Sequence, residues 1–121
     1  MPKKVLVADD EPDILQVIQY RLSKKGYEVI LAANGQEALE KIYQHKPDLI
    51  FLDFQMPIVD GVELCRRIKA DPVLKKIPVI ILSASLYAVG DKELAQVNAN
   101  GRIIKPFEPD ELYRIVDKFL N

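Results

Sequence analysis

The sequence predicts an α/β protein: a three-layer sandwich with a parallel five-stranded sheet between helices. Two observations carry this. Short apolar runs alternate five times with stretches of helical periodicity along the 121 residues. The runs Leu49-Ile50-Phe51-Leu52 and Val79-Ile80-Ile81-Leu82 are apolar at every position, as strands covered on both faces by helices are. Five βα units are too few for an eight-stranded barrel, which needs about twice this length. They form an open sheet, and one reversal of winding puts helices on both faces and sets the first and third strands side by side.

The first strand is expected over Lys4 to Ala8. Pro12 suits the first turn of the next helix, where its missing N–H is not needed. Ile14, Leu15, Ile18 and Leu22 follow at helical spacing, and Gly26 is a helix stop. Tyr27 to Ala32 is the second strand. Asn34-Gly35 reads as a turn, and Ala38, Leu39 and Ile42 form the stripe of the second helix. Asp48 to Leu52 is the third strand. After the Met56-Pro57 loop, Asp60-Gly61 leads into a third helix with Leu64 and Ile68 inward, which Asp71-Pro72 ends. Ile77 to Leu82 is the fourth strand. Leu86 to Val97 is a weaker helix interrupted by Gly90, and Arg102 to Ile104 a short fifth strand. Pro109 and Asp110 open a last helix with Leu112, Ile115, Val116 and Phe119 on one face. The loops are short, so the expectation is one domain over residues 1–121.

Composition narrows the function. Hydrophobic residues make up 49% and charged residues 29%, the balance of a folded soluble chain. With 17 basic and 18 acidic residues the net charge is -1, which gives no electrostatic case for nucleic acid or an anionic membrane. Arg66, Arg67 and Lys69, with Lys75 and Lys76, read as a solvated helix face and loop. No signal peptide or run of ~20 apolar residues is present, so a cytoplasmic location is expected. Cys65 is alone, which excludes an intrachain disulfide and suits a reducing compartment. It reads as a small core residue. His45, the one histidine, lacks metal-ligand neighbours and suits a helix C-terminus.

The chemistry is written at the strand ends. Asp9 and Asp10 follow the first strand, Asp53 the third, Ser83 the fourth and Lys105 the fifth. Ligands of open parallel sheets bind at those carboxyl ends. Two carboxylates ~4 Å apart repel by about 4 kcal/mol at an effective dielectric near 20, so one is protonated or a cation sits among them. An all-oxygen donor set favours Mg²⁺ or Mn²⁺ over zinc. Lys105 and Ser83 could hold phosphate oxygens, and an aspartate carboxylate can attack phosphorus. Asp53, on the central strand, is the best placed. Each residue alone has a plainer reading. Asp9 and Asp10 could cap the next helix, and Lys105 could form a structural ion pair. Their joint occurrence in this strand order argues for the site.

On these residues the chain resembles the receiver domain of two-component response regulators. The likeness rests on Val5-Leu6-Val7-Ala8-Asp9-Asp10-Glu11-Pro12, on the stretch from Asp48 through Asp53, Met56-Pro57 and Asp60-Gly61, on Pro78 to Ala84, and on Lys105-Pro106-Phe107. It implies a flavodoxin-like (βα)5 fold of strand order 2-1-3-4-5. It implies phosphorylation of Asp53 by a histidine kinase or phosphotransfer protein. Mg²⁺, replaceable by Mn²⁺, would be held by Asp10, Asp53 and the main-chain carbonyl of Gln55, with Asp9 acting through water. Ser83 and Lys105 would contact the phosphoryl group, and a cis Lys105-Pro106 bond is implied. The face of the fourth helix, fifth strand and fifth helix would switch and bind a downstream protein or an output domain.

The sequence departs from the pattern at Arg102, where most receivers carry Tyr or Phe. Burying an arginine without a partner is costly, so Arg102 is expected at the output face, paired with acidic groups there or on a partner. Asn98, Asn100 and Gly101 replace a commoner Ala- and Asp-rich turn. Neither Gln55 nor Ser85 is charged at the positions that tune phosphoryl lifetime. The resemblance implies no enzyme beyond self-phosphorylation and self-dephosphorylation. Three alternatives stand: a docking module independent of phosphate, an aspartyl phosphatase of haloacid-dehalogenase type, and a flavodoxin or nucleotide binder. The phosphatase would need an aspartate where Gln55 stands, and the nucleotide binder a phosphate loop where Asp9-Asp10-Glu11 would repel phosphate. The chain is expected to be a stand-alone receiver or the receiver part of a longer regulator.

Overall fold

The computed structural model describes residues 2–84 and 91–121. Its elements are β1 (Lys4–Ala8), α1 (Pro12–Lys24), β2 (Glu28–Ala32), α2 (Gly35–His45), β3 (Leu49–Asp53), α3 (Gly61–Ala70), β4 (Val79–Ser83), α4 (Asp91–Gln96), β5 (Gly101–Ile104) and α5 (Pro109–Leu120). The strands form one parallel sheet in the order β2-β1-β3-β4-β5, as the sequence led us to expect.

Two cores flank the sheet. Leu6, Ile50, Leu52, Val79 and Ile81 pack on one side with Ala38 and Ile42 of α2, Leu64, Cys65 and Ile68 of α3, and Leu94 of α4. Val5, Val7, Leu49, Phe51, Ile80 and Leu82 pack on the other with Ile18 and Leu22 of α1 and Leu112, Val116 and Leu120 of α5. This split follows from the alternation of side chains along each strand.

Element ends differ from the sequence reading for local reasons. Asn34 is not part of a free turn: it is the N-cap of α2, its Oδ1 accepting the Glu37 N–H at 2.8 Å. Asp60 caps α3 in the same way through Glu63 N–H. β2 begins at Glu28 because Tyr27 N–H is spent on Leu22 O. β4 begins at Val79 because Ile77 N–H closes a turn onto Leu74 O. β3 runs one residue later than expected and includes Asp53. The predicted start of the fourth helix at Leu86, its interruption at Gly90, and Ser85 lie outside the described residues.

Side-chain bonds pin the amino ends of the strands. Lys4 N–H donates to Asp48 Oδ2 at 2.8 Å, and Lys3 Nζ to Leu120 O at 2.8 Å. Asn100 bonds Val79 twice, its N–H to Val79 O and its Oδ1 from Val79 N–H. Asn98 adopts φ 61, which asparagine tolerates better than most residues. The unusual turn is thus built from residues suited to it. Arg66 and Arg67 both pair with Glu63, and Lys69 Nζ donates to the carbonyls of Lys75 and Ile77. These bonds agree with the reading of a helix face and its loop. His45 sits half-buried in the last turn of α2. Cys65 is fully buried and donates to Val97 O at 3.6 Å. Among the described residues no helix is long and apolar enough to cross a membrane.

Candidate functional site

The parallel register gathers the strand-end residues. β1 pairs with β3 up to Ala8 and Leu52, so Asp9 and Asp53 leave adjacent strands together. Asp53 itself pairs with Leu82, and Ser83 with Ile104. Lys105 N–H then donates to Ser83 O at 2.7 Å. The Lys105-Pro106 bond is cis.

Carboxylate oxygens of Asp9, Asp10, Glu11 and Asp53 all lie within 4.8 Å of one another. Lys105 Nζ stands among them, 2.7 Å from Asp9 Oδ2, 3.1 Å from Glu11 Oε1 and 3.3 Å from Asp53 Oδ1. Asp9 is fully buried, and its Oδ1 accepts the Glu11 N–H at 2.9 Å. Its Oδ2 lies 2.7 Å from the Lys105 ammonium, a charge contact that raises Lys105.

Electrostatics follow from this crowding. Burial pushes the Asp53 carboxyl up, the Asp9 charge pushes it further, and Lys105 only partly offsets them, leaving it at about 7. Burial would lower the Lys105 ammonium, but contact with Asp9 and the charges of Asp9 and Asp53 prevail and hold it above its ordinary value. Four acids facing one lysine leave room for more positive charge.

A cavity of about 310 Å³ opens here, walled by Asp10, Glu11, Asp53, Gln55 and Lys105, with Phe54 and Ala84. Its rim is the loop 54–60, clamped from both sides. A β-carbon on Gly35 would meet Val59 O at 2.0 Å, and one on Gly61 would meet Asp53 O at 2.2 Å. Both helix starts therefore press on this loop through positions that admit no side chain. Gly61 N–H also donates to Phe54 O at 3.0 Å. Within the loop Ile58 holds φ 75 and is 75% exposed.

The structure brings Asp9, Asp10, Asp53 and Lys105 together, sets Gln55 on the cavity wall, and places Ser83, fully buried, next to Lys105. Pro106 follows directly. Arg102 is half-buried on β5 beside Ile81, on the sheet side that faces α2, α3 and α4. Sequence reasoning treated Glu11 only as part of a motif. The structure adds it to the cluster, and its spacing from Lys105, 94 positions away, left no local signal. Glu11 is the N-cap residue of α1, yet its side chain makes no cap bond and turns to Lys105 instead. Neither aspartate occupies the capping position that the plainer reading allowed.

Comparison with known proteins bears on the whole chain. A family profile described as response regulator receiver domain matches residues 5–117. The alkaline phosphatase synthesis transcriptional regulatory protein PhoP of Bacillus subtilis is 41% identical over 113 residues, 93% of this chain and 46% of that protein. The chain spans about half the length of the curated relatives it matches. Chemotaxis protein CheY4 of Vibrio cholerae superposes with a TM-score of 0.90 at 32% identity, covering 99% of this chain and all of that one. The response regulator TrrA of Thermotoga maritima, in complex with Mg²⁺-BeF, gives 0.87 at 36% identity over 98% of this chain and 99% of that one. Sheet order, strand-end acids, lysine and profile agree: the chain belongs to the response regulator receiver domain family.

Proposed function

We propose that the domain accepts a phosphoryl group on Asp53 from a histidine kinase or phosphotransfer protein and relays the signal by protein contact. The observation that carries this is the arrangement of Asp53, Lys105 and three further carboxylates at the carboxyl edge of β1 and β3. The donor set is all oxygen, its four carboxylates lie within 4.8 Å of one another, and Asp53 is held at about 7. These features suit Mg²⁺, or Mn²⁺ in its place. Asp10, Asp53 and the Gln55 carbonyl would hold the ion, with Asp9 acting through water. Bound there, it supplies charge neutralisation for a transferring phosphoryl group.

The residues then divide the work. An Asp53 carboxylate oxygen forms the bond to phosphorus as the bond to the donor imidazole nitrogen breaks, its electron pair returning to the ring. Lys105 takes one phosphoryl oxygen and Ser83 donates to another. Their movement biases the face of α4, β5 and α5, where Arg102 meets acidic groups of the domain or a partner. The domain catalyses only its own phosphorylation and dephosphorylation. Its downstream contact is a protein target or an output domain, with no nucleic acid or membrane bound by this domain. The near-even charge supports this last point.

Intact mass after incubation with Mg²⁺ and acetyl phosphate tests the reading. One phosphoryl adduct is expected, absent from Asp53→Asn and after chelation. If neither an adduct nor beryllofluoride binding occurs, the domain is a docking module independent of phosphate.

A further inference from the structure

An ammonium group has three donors, and here Asp9, Glu11 and Asp53 each lie within ion-pair reach of Lys105 Nζ. A phosphoryl oxygen brings further negative charge into this cluster and competes with these carboxylates for Lys105. The three are not equal. Asp9 is fully buried and tied on its other oxygen by the Glu11 N–H. Releasing it would strand a buried charge, which is costly. The Asp53 contact passes to the phosphoryl group, whose oxygens carry the charge the carboxylate gives up. The Glu11 side chain is 61% exposed and makes no capping bond in α1. Water can solvate it once released, so it leaves at least cost.

We infer that Glu11 is a positioning residue that holds Lys105 in the unphosphorylated domain and is displaced from it by the phosphoryl group. Glu11 thus acts through Lys105 and sets how readily the site closes on its ligand. This rests on the proposal that Asp53 is the phosphoryl acceptor.

The test is a calorimetric titration of beryllofluoride at saturating Mg²⁺, with Mg²⁺ titrated alone beside it. Glu11→Ala is the informative variant, since it removes the contact without removing a helix cap. Asp13→Asn controls for charge alone, because Asp13 is an exposed acid in the first turn of the same helix. Glu11→Ala is expected to bind beryllofluoride about two- to five-fold more tightly, the size of an exposed ion pair's contribution. Asp13→Asn should shift by less than half of that, with each variant titrated at its own saturating Mg²⁺. Equal gains in the two variants would reduce the effect to general charge and overturn the inference. So would no gain in Glu11→Ala at saturating Mg²⁺. Failure of the unaltered domain to bind beryllofluoride would overturn the acceptor proposal itself.

Discussion

The carbonyl oxygen of Asp53 lies 2.2 Å from the point where a β-carbon on Gly61 would stand. The third helix therefore begins in contact with the backbone of the proposed acceptor. Gly61→Ala must push one against the other, and neither is the loose end of a side chain. The expected cost is roughly 1–3 kcal/mol, as for other overpacked sites, read from urea unfolding. Phosphoryl uptake should fall as well, since the displaced atoms belong to Asp53.

Asp53 also gives the metal-free domain a distinctive pH response. Its carboxyl is raised from 3.8 to about 7, so the native state holds this proton more tightly than the unfolded chain. Its stabilising contribution is complete below the lower value and is lost as pH rises through about 7. Glu37, Glu63 and Asp71 are held low by their partners and act in the opposite sense, losing stability only as pH falls into the acid range. Denaturant midpoints in EDTA should therefore drop between about pH 5 and 7 and level off above that. Asp53→Asn should flatten that drop and exceed the unaltered domain at pH 8. Mg²⁺ should restore the unaltered domain there, with its affinity rising with pH through the same window.

Lys105 is the sole cation within ion-pair reach of the Asp9 and Asp53 carboxylates among the described contacts. Lys105→Ala leaves the fully buried Asp9 facing other acids. Breaking a buried pair from one side costs about 3–5 kcal/mol, and thermal unfolding in EDTA should show a loss of that order. Saturating Mg²⁺ should recover part of it, because a second cation then faces the same oxygens.

Ile58 makes the opposite prediction. A β-branched residue in the left-handed region costs ~1–2 kcal/mol, and at 75% exposure little burial offsets this. Ile58→Gly loses some of the gain to chain entropy, roughly 0.5–1 kcal/mol. A net stabilisation of about 0.5–1 kcal/mol is expected in urea.

The sequence was most readable where one physical rule dominates. Val79 to Leu82 could only be a strand covered on both faces, and its neighbours in the sheet follow from parallel winding. From that order the meeting of Asp9, Asp53 and Lys105 could be foreseen, because strand register carries side chains over long sequence distances. Asn34 was misread because a turn and a helix cap call for the same residue, and only the Glu37 N–H decides between them. Glu11 was missed for a different reason. Which exposed carboxylate reaches Lys105 depends on loop torsions after β1, and no periodicity records those. The strain at Ile58 was hidden likewise, since nothing in an isoleucine announces a positive φ.

Cys65 has a practical consequence. It is the chain's one cysteine, fully buried, with burial pushing its thiol up to about 11. At neutral pH it presents almost no thiolate to an electrophile. A cysteine introduced at an exposed position such as Tyr20 would then carry a maleimide dye or spin label alone, with the native thiol left in place. Distance measurements between the domain and a labelled partner become possible without first redesigning the interior.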